Sequence, residues 1–418
     1  MSAADTCDVA IVGGGMVGVS LALALAQTWP QKRRIVLLES FPLPGATPDF
    51  AAGYSPSFDA RSTALSYSSC LIYQELGIWE QLLQRACPIA RIHVSDRGRF
   101  GHALLQAQEC DWPALGYVIE NAWLGNILIQ CLHEQGRVEL ISPATVTGAK
   151  IDDAGMALEL ANGERLQTQL LIVADGAQSG LREALGIDTD TRRYDQHAVV
   201  ANIGHALPHG GCAWERFTRN GPLALLPLLP DAAAPHRSAL VWTLPPLEAE
   251  RMAAASEVDF LQSLQQAFGY RLGRLQRLGE RASYPLNLVQ AKEQVRSGLV
   301  VIGNAAHALH PVAGQGFNLA LRDVARLVDV LGDAEVRGED FAALTVLQRY
   351  ANAQRRDQQR TVEFSDRLPA LFMRHETALG ALRDVGLIGL DLIPALRREF
   401  VQQTAGTAAS AEYRRVQP

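Results

Sequence analysis

The first forty residues contain the pattern that most restricts how this chain can fold. A short apolar run ends at Val12, the glycine-rich sequence GGGMVG follows at once, and an apolar helical pattern begins directly after it. Gly13, Gly15 and Gly18 have the GxGxxG spacing, and the next strand pattern ends at Glu39, 21 residues after the last of these glycines. Such glycines permit a tight turn and a close approach of a pyrophosphate to the helix start, while the acid accepts hydrogen bonds from a ribose. The stretch therefore predicts a βαβ unit that binds a dinucleotide.

A second apolar strand pattern, at residues 170–174, also ends in an acid. Asp175 and Gly176 follow it, with Ser179 and Arg182 a few residues further along. Open α/β sheets bind their ligands at the carboxyl ends of the strands, which is where this pattern places Asp175. On this stretch alone, an aspartate that stabilises a turn is the simpler interpretation.

A third glycine-rich stretch joins a strand to a helix. The apolar run at 299–302 is followed by a glycine and Asn304, and Gly314 and Gly316 precede a helical pattern that begins at about Phe317. The free backbone N–H groups of a helix start and the positive end of its dipole attract an anion or a developing negative charge. Glycines before the helix admit a flat ligand to the backbone, although a plain chain reversal produces the same pattern.

Strand-like runs separated by turns dominate the middle of the chain and predict a largely antiparallel sheet, whereas the pattern after residue 324 is helical. We therefore predict an α/β protein with α+β elements: a Rossmann-type dinucleotide-binding domain interleaved with a largely antiparallel-sheet substrate domain, followed by C-terminal helices. The predicted boundaries are 1–182 for the first part of the dinucleotide-binding domain, which also carries some substrate-facing segments, 183–282 for the substrate domain, 283–365 for the return segment of the first domain and 366–418 for the helical end.

Composition and charge exclude several classes of function. The chain of 418 residues has a formal net charge of −6 and no basic block, which argues against a nucleic-acid partner. No apolar run reaches the roughly 18–20 residues of a membrane span, and the N-terminus lacks the basic start of a secretory signal. Six scattered cysteines without CxxC spacing argue against a disulfide framework or a zinc site. They favour a reducing, cytoplasmic compartment.

The segment 379–400 combines regularly spaced apolar residues with arginines. Two interpretations fit this pattern: a helix that lies on a membrane surface, and a helix packed on the core or on another subunit. We favour the packed helix.

Taken together and in this order, the three glycine-and-acid stretches resemble the three FAD fingerprints of the single-component flavoprotein aromatic hydroxylases, whose fold is typified by para-hydroxybenzoate hydroxylase. The resemblance covers the chain up to about residue 365. Within that family the chain is most similar to the ubiquinone-biosynthesis hydroxylases, in particular to those acting on 2-octaprenyl-6-methoxyphenol. The stretches that carry this closer resemblance are 94–98, 215–218, 221–224 and 310–318.

The resemblance implies a role in FAD binding for the residues at matching positions. The three glycines of the first stretch hold the pyrophosphate, Glu39 binds the adenosine ribose, and Arg61 lies near the flavin phosphates. Asn121 occupies the position beside the ribityl chain where many relatives have an arginine. Asp175 belongs to a motif that the family links to both FAD and NAD(P)H.

The third fingerprint departs from the family pattern at one position. Asn304 replaces the usual aspartate, so it can still form hydrogen bonds with a ribose hydroxyl but lacks the negative charge. The resemblance implies that the start of the following helix presents backbone amides to the pyrimidine edge of the flavin. The residues of that turn are Gly314, Gly316, Phe317 and Asn318.

The resemblance also implies the reaction. NAD(P)H reduces FAD, O2 adds to give a flavin C4a-hydroperoxide, and the distal oxygen attacks a ring carbon ortho or para to a phenol hydroxyl. The implied substrate is a polyprenylated phenol of the 2-octaprenyl-6-methoxyphenol type. Because the sequence has no second strand–GxGxxG–helix unit, we predict that NAD(P)H visits the enzyme as a transient co-substrate.

Three alternatives remain open at this point. A related ubiquinone-pathway hydroxylase that acts at another ring position would share every FAD motif. A flavin reductase or oxidase would bind FAD without inserting oxygen, and a non-catalytic flavin-binding assembly subunit would bind it without turnover. Since a polyprenyl tail lies in the bilayer, we also predict peripheral contact with the inner face of the membrane or delivery by a ubiquinone-biosynthesis protein complex.

No side chain stands out in the sequence as a general base. His307 and His310 have a spacing that suits either loop packing or metal ligation, but no third ligand accompanies them, and we predict no metal site. Trp214, Phe217 and Trp242 are candidates for an apolar substrate wall, with ordinary core aromatics as the alternative.

Overall fold

The structure, a computed structural model, describes residues 5–45, 61–152, 155–232, 234–309, 314–373 and 394–406. In its first part the elements are β1 (Asp5–Val12), α1 (Met16–Thr28), β2 (Ile35–Leu38), β3 (Ser62–Ser66), α2 (Tyr67–Glu75), α3 (Trp79–Leu83), β4 (Ala86–Ile89), β5 (Arg91–Asp96), β6 (His102–Gln106), β7 (Gly116–Glu120), α4 (Asn121–Gln135), β8 (Val138–Ile141), β9 (Val146–Asp152), β10 (Gly155–Leu160), β11 (Arg165–Val173) and α5 (Gly180–Ala184). The remaining elements are β12 (Thr189–His205), β13 (Cys212–Thr218), β14 (Gly221–Leu228), β15 (Arg237–Leu244), α6 (Pro246–Ala254), α7 (Glu257–Phe268), β16 (Leu275–Leu278), β17 (Ala282–Ala291), β18 (Val295–Arg296), β19 (Leu299–Val301), β20 (His307–Ala308), α8 (Gln315–Val336), α9 (Leu344–Met373) and α10 (Pro394–Thr404).

The first sheet is the Rossmann-type sheet that the glycine pattern predicts. Strands β19, β11, β1, β2 and β8 lie side by side and run parallel, with β18 antiparallel at one edge and the β9–β10 hairpin joined to β11. Helices α1, α4 and α8 cover one face, while the hairpin and α5 cover the other. The central strands are apolar on both faces because both are buried.

The second sheet is largely antiparallel, as predicted, in the order β20-β17-β12-β15-β14-β13-β5-β6, with β13 and β5 paired in parallel. Strands β3, β7 and β4 form a small antiparallel sheet. It contributes side chains to the apolar core between the first sheet and its helices, and it also packs against the second sheet. The predicted fold class is confirmed. The second sheet also recruits β5 and β6 from the first part of the chain, and the exact domain boundaries stay a prediction.

The two faces of the second sheet have different neighbours. Helices α6 and α7 pack on one of them, which we call the outer face. The opposite face, the inner face, packs against β4, β7 and α10, on the side of the first sheet. A ligand held between the two large sheets would therefore contact the inner face.

Of the predicted helical end, residues 374–393 and 407–418 lie outside the described ranges. In α10, Val401 is buried in the cluster on the inner face, and Arg397 Nε lies 2.5 Å from Glu109 Oε2. This part of the segment is packed on the protein. Among the described residues, no helix is both long and apolar enough to cross a membrane.

A buried ion cluster joins α8 to α9. Arg322 Nε lies 2.7 Å from Asp357 Oδ2, and Arg326 Nη1 lies 3.0 Å from the same oxygen, with the Thr361 hydroxyl also contacting Arg322. Burial alone would raise the pKa of Asp357, but the two guanidinium groups overcome that effect and hold the pKa below its ordinary value. The carboxylate is therefore ionised and fixes the crossing of the two helices.

We expect Asp357→Asn to lower the free energy of unfolding by about 3–5 kcal/mol, because two buried arginines lose their counter-charge. Since the folded pKa is depressed, the stabilisation is present above the unfolded pKa and is lost as pH falls through the folded pKa. Urea unfolding at pH 7 and in acid measures both effects. Asp333→Asn, which removes an exposed partner of Arg337 at 3.9 Å, is the control and should cost less than about 1 kcal/mol. Equal losses in the two variants would contradict this interpretation.

Candidate active site

The carboxyl ends of the parallel strands bring the first group of predicted site residues together. The backbone N–H groups of Gly13, Ala174 and Ile302, which directly follow β1, β11 and β19, donate to carbonyls of the adjacent strands at 2.8, 2.8 and 3.0 Å. These bonds keep the strand ends aligned at one edge of the sheet, where open α/β sheets bind ligands. The predicted residues at this edge are Gly13, Gly15, Gly18, Glu39, Asp175 and Asn304.

The glycine turn at the start of α1 leaves an open space in front of the helix. Gly13 has a φ of +115°, and a Cβ there would lie 2.4 Å from the Ala174 carbonyl oxygen. A Cβ on Gly18 would lie 1.9 Å from the Gly13 oxygen, whereas a Cβ on Gly15 would meet no atom within 4 Å. Gly15 is also the N-cap of α1, and no side chain caps the helix. The first and third glycines thus serve packing, and the middle one borders a space that a pyrophosphate could fill.

Glu39 is held beside this turn by backbone donors. Its Oε2 accepts a hydrogen bond from the Gly14 N–H at 2.6 Å, and its Oε1 accepts from the Phe41 N–H at 2.9 Å and the Ser40 hydroxyl at 3.1 Å. The carboxylate is therefore fixed at the strand end, where it can accept further hydrogen bonds from a ribose.

Asp175 and Arg182 connect the second stretch to the third. Asp175 Oδ2 accepts from the Leu181 N–H at 3.4 Å, while its Oδ1 is buried with no hydrogen-bond partner among the described residues. Arg182 Nη1 donates to the Ala305 carbonyl at 2.8 Å, next to the exposed Asn304. A buried carboxylate oxygen without a donor is unfavourable, and a ligand hydroxyl could satisfy it.

A second group of predicted residues surrounds β3. The Asn121 N–H donates to the Arg61 carbonyl at 2.8 Å, and the Thr63 hydroxyl donates to Asn121 Oδ1 at 2.6 Å. The exposed guanidinium of Arg61 lies 5.2 Å from the ring centroid of Tyr284 on β17. The structure thus places Arg61 and Asn121 together at the start of α4, and their contacts with FAD stay a prediction.

Asn318 fixes the start of α8 against β3. Its Oδ1 accepts from the Ser66 N–H at 2.8 Å and the Ser69 hydroxyl at 2.7 Å, and its Nδ2 donates to the carbonyls of Ala64 at 2.9 Å and Gly314 at 2.7 Å. The side chain is fully used within the protein. Any contact of this residue with a cofactor would therefore be made by its backbone.

The first turn of α8 faces open space, like that of α1. Gly314 is the N-cap with a φ of +60°, and no side chain of the described residues caps the helix. A Cβ on Gly316 would meet no atom within 4 Å, and the half-buried Phe317 packs against the core of the first sheet. These features suit the parts of FAD. Helix starts without a side-chain cap among the described residues suit the pyrophosphate and the flavin edge, and the Asp175 oxygen and the fixed Glu39 carboxylate suit ribose hydroxyls.

His307 pairs with an acid on α8. Its Nε2 contacts Asp323 Oδ2, and both side chains are buried. The described residues contain no group of three or more His, Cys, Asp or Glu side chains that could hold a metal. For His307 the structure therefore supports loop packing, whereas His310 lies outside the described residues.

The three candidate wall aromatics separate onto the two faces of the second sheet. On the outer face Trp214 packs edge-on against Phe268 and Trp242 against Phe260, with centroid distances of 6.1 and 5.8 Å. They are core aromatics beneath α7. Phe217, the penultimate residue of β13, is buried and points to the side opposite Arg216, so it belongs to the inner face.

Three acids of this region were not identified from the sequence. Glu120 Oε1, at the end of β7, lies 2.7 Å from Arg237 Nη2, and Asp231 Oδ2 lies 3.1 Å from Nη1 of the same arginine. Glu215, on β13, is half-buried, and burial raises its pKa to about 8. The one available sequence signal was a charged residue within or at the end of an otherwise apolar strand.

Gly15→Ala and Gly18→Ala should fail in different ways. The first adds a methyl group to the open space before α1, so we expect a folded protein whose FAD affinity falls about 10- to 100-fold. The second forces a methyl group into the Gly13 carbonyl and should lower the melting temperature or prevent folding. Flavin absorbance after gel filtration and thermal unfolding of the apoprotein measure the two effects. A yellow Gly15→Ala protein with full flavin content would contradict the assigned role.

Asn318→Ala should destabilise the protein by roughly 2–4 kcal/mol and weaken FAD retention, since buried donors and acceptors lose their partners. Asn318→Asp keeps both acceptor contacts but sets a carboxylate against the Ala64 and Gly314 carbonyls, so it should fail to rescue the loss. Thermal unfolding with and without FAD provides the measurement. A neutral effect of both substitutions would show that the start of α8 does not depend on this side chain.

Comparison with known proteins agrees with the geometry. The FAD binding domain family matches residues 6–365. The chain is 34% identical to ubiquinone hydroxylase UbiL of Rhodospirillum rubrum, over 97% of this chain and 91% of that protein. It is 33% identical to 3-demethoxyubiquinol 3-hydroxylase of Escherichia coli, over 96% of this chain and 98% of that protein.

A solved structure supports the same fold. The crystal structure of p-nitrophenol 4-monooxygenase PnpA from Pseudomonas putida superposes with a TM-score of 0.74 at 19% identity, covering 96% of this chain and 99% of that one. The resemblance inferred from the three glycine-and-acid stretches is confirmed. The chain belongs to the ubiquinone-biosynthesis hydroxylases, a group of FAD-dependent aromatic monooxygenases.

Proposed function

We propose that this protein hydroxylates the ring of a polyprenylated phenol during ubiquinone biosynthesis, with the 2-octaprenyl-6-methoxyphenol type as substrate and NAD(P)H as reductant. The observation that carries the proposal is the match along 97% of the chain to a ubiquinone hydroxylase. Bound FAD supplies the redox chemistry, which takes electrons from NAD(P)H, passes one oxygen atom of O2 to the ring and releases the other as water.

The start of α8 has a defined task in this reaction. Within the described residues, no side chain caps its first-turn backbone N–H groups. Negative charge on the pyrimidine edge of a reduced flavin would be stabilised there by donors that are already oriented. Asn318 keeps those donors in place through its four hydrogen bonds.

The inner face of the second sheet suits an aromatic, prenylated substrate. Phe217 is 1% exposed, and, two residues along the same face, Val94, Ala224 and Val241 form an apolar row across the neighbouring strands. Such a surface excludes water from the ring that is attacked and so limits wasteful release of hydrogen peroxide.

The polyprenyl tail of such a substrate partitions into lipid. We therefore propose that the enzyme works at the cytoplasmic face of the membrane, either by peripheral contact or by transfer of substrate from partner proteins of the same pathway. Which of the two operates can be tested by assaying a long-tailed substrate with and without lipid vesicles.

A second candidate function is hydroxylation at another position of the ubiquinone ring. It is favoured by the 33% identity to 3-demethoxyubiquinol 3-hydroxylase over nearly the whole chain. Both candidates use the same FAD site, so the substrate must distinguish them.

Turnover of the purified holoprotein tests the reaction class. With a 2-methoxyphenol that carries one prenyl unit at ring position 6, we expect phenol-dependent NAD(P)H oxidation and about one hydroxylated product per NAD(P)H. With ¹⁸O2, one labelled oxygen should enter the ring. Gly15→Ala serves as the FAD-poor control. NAD(P)H consumption that yields only hydrogen peroxide or a reduced acceptor would contradict the proposal and favour an oxidase or reductase.

Mass spectrometry of prenylated phenols in cells that lack the protein tests the ring position. Accumulation of 2-octaprenyl-6-methoxyphenol with loss of its hydroxylated product is the expected result. Accumulation of a different phenol would favour the second candidate, and an unchanged quinone pool would contradict both.

A further inference from the structure

Glu215 points to the inner face of the second sheet. Side chains alternate along a strand, and its two neighbours on β13 both point to the outer face. Trp214 packs on Phe268 there, and Arg216 Nε donates to the Ala267 carbonyl at 3.2 Å. The carboxyl between them is therefore on the opposite side of the sheet, facing away from α7.

The neighbours of Glu215 on the inner face offer it no hydrogen bond. Its direct neighbours in register are Val94 on β5 and Ala224 on β14, and the same row continues to Val241 on β15 and Val200 on β12, two and three strands away. Among the described residues, no hydrogen bond or ion pair reaches the Glu215 carboxyl. Within the described part of the chain, burial is the one influence on this acid, and it raises the pKa of Glu215 to about 8.

The inner face also meets the elements that carry the FAD residues. Tyr284, which contacts Arg61, pairs with Ala198 on β12, two residues from Val200 and thus on the same face as the Glu215 row. On β15, Arg237 of this face pairs with Glu120, directly before Asn121. A ligand between the sheets would have the FAD-binding elements on one side and the Glu215 row on the other.

We propose that the Glu215 carboxyl binds the phenol hydroxyl of the substrate and takes up its proton, so that the ring is attacked as a phenolate. This inference rests on the proposed function. In the step, the O–H bond of the phenol breaks and an O–H bond to Glu215 forms; no electrons are transferred, and the proton leaves to water after product release. The phenolate is richer in electrons at the ortho and para carbons, which are the carbons that accept oxygen.

The acidity of this side chain suits the task. A general base works best when its pKa is near the operating pH and not far below the pKa of the group that it deprotonates. The pKa of a phenol is about 10. An ordinary surface glutamate, with a pKa of about 4.3, would be a much weaker base. The apolar row around Glu215 provides the required shift.

Binding of two ligands to three proteins tests the contact without relying on turnover. The probes are the 2-methoxyphenol with one prenyl unit and its O-methyl ether, which lacks the hydroxyl, and perturbation of the flavin spectrum reports their dissociation constants. We expect the wild-type holoprotein to prefer the phenol about 10-fold. Glu215→Ala should reduce that preference to about 1, and Glu215→Gln, which keeps an acceptor oxygen, should retain most of it.

The pH dependence of kcat/KM tests the proton transfer. In the wild type it should rise with pH through about 8, as the carboxyl ionises. In Glu215→Gln that rise should disappear, with rates reduced by about 10²-fold or more above pH 8. Glu248→Gln, at an exposed acid paired with Arg251 on α6, is the matched control and should leave the profile unchanged.

Thermal unfolding separates this role from a structural one. Because the pKa of folded Glu215 is raised, its contribution to stability falls as pH rises from the unfolded pKa towards 8. Glu215→Gln should therefore melt at a higher temperature than the wild type at pH 9 and at nearly the same temperature at pH 5. A large loss of stability at both values would mean that the side chain is needed for folding, and would overturn the proposal.

The outcomes distinguish this inference from the function on which it rests. The role of Glu215 alone would be overturned if the wild type hydroxylates the phenol and Glu215→Ala still binds the phenol more tightly than its O-methyl ether. The same conclusion follows if Glu215→Gln keeps the wild-type pH profile. A wild type that neither binds nor hydroxylates any prenylated phenol would overturn the proposed function itself.

Discussion

Hydrogen bonding between the parallel strands β2, β1, β11 and β19 is the constraint on which the rest of the structure depends. Parallel strands end at a common edge, so segments that are far apart in the chain must deliver their first loop residues to the same place. Glu39, Asp175 and Asn304 meet the glycine turn for this reason. Their proximity is a property of the sheet and requires no attraction between the residues themselves.

The features that sequence analysis could predict are those whose physical cause is local. Each of the three stretches combines an apolar strand with a glycine turn and a polar residue at a strand end, and each combination has one main structural meaning. The Rossmann-type sheet, the antiparallel second sheet and the family could therefore be inferred from short patterns. The same patterns placed Gly15 and Glu39 where the structure has an open helix start and a fixed carboxylate.

The features that escaped prediction depend on residues far away in the chain. Period-two alternation tells us that Trp214 and Glu215 point to opposite faces, but not which face α7 covers. Glu215 is flanked by Val94 on β5 and Ala224 on β14, and β5 is more than 100 residues away in the chain. The Arg237–Glu120 pair joins residues 117 positions apart. The sequence likewise does not indicate that the Asn318 side chain holds β3, and the predicted contact of its backbone with the flavin stays a prediction.

The interleaving of the two sheets also sets the order in which the protein can be completed during its synthesis. Strand β1 pairs with β11, where Cys7 meets Thr168, and β11 pairs with β19, where Leu171 meets Leu299. The cofactor edge is therefore unfinished until β19, at residues 299–301, has left the ribosome. By then every strand of the second sheet except β20 has also left it, so FAD enters a nascent protein whose second sheet is nearly complete.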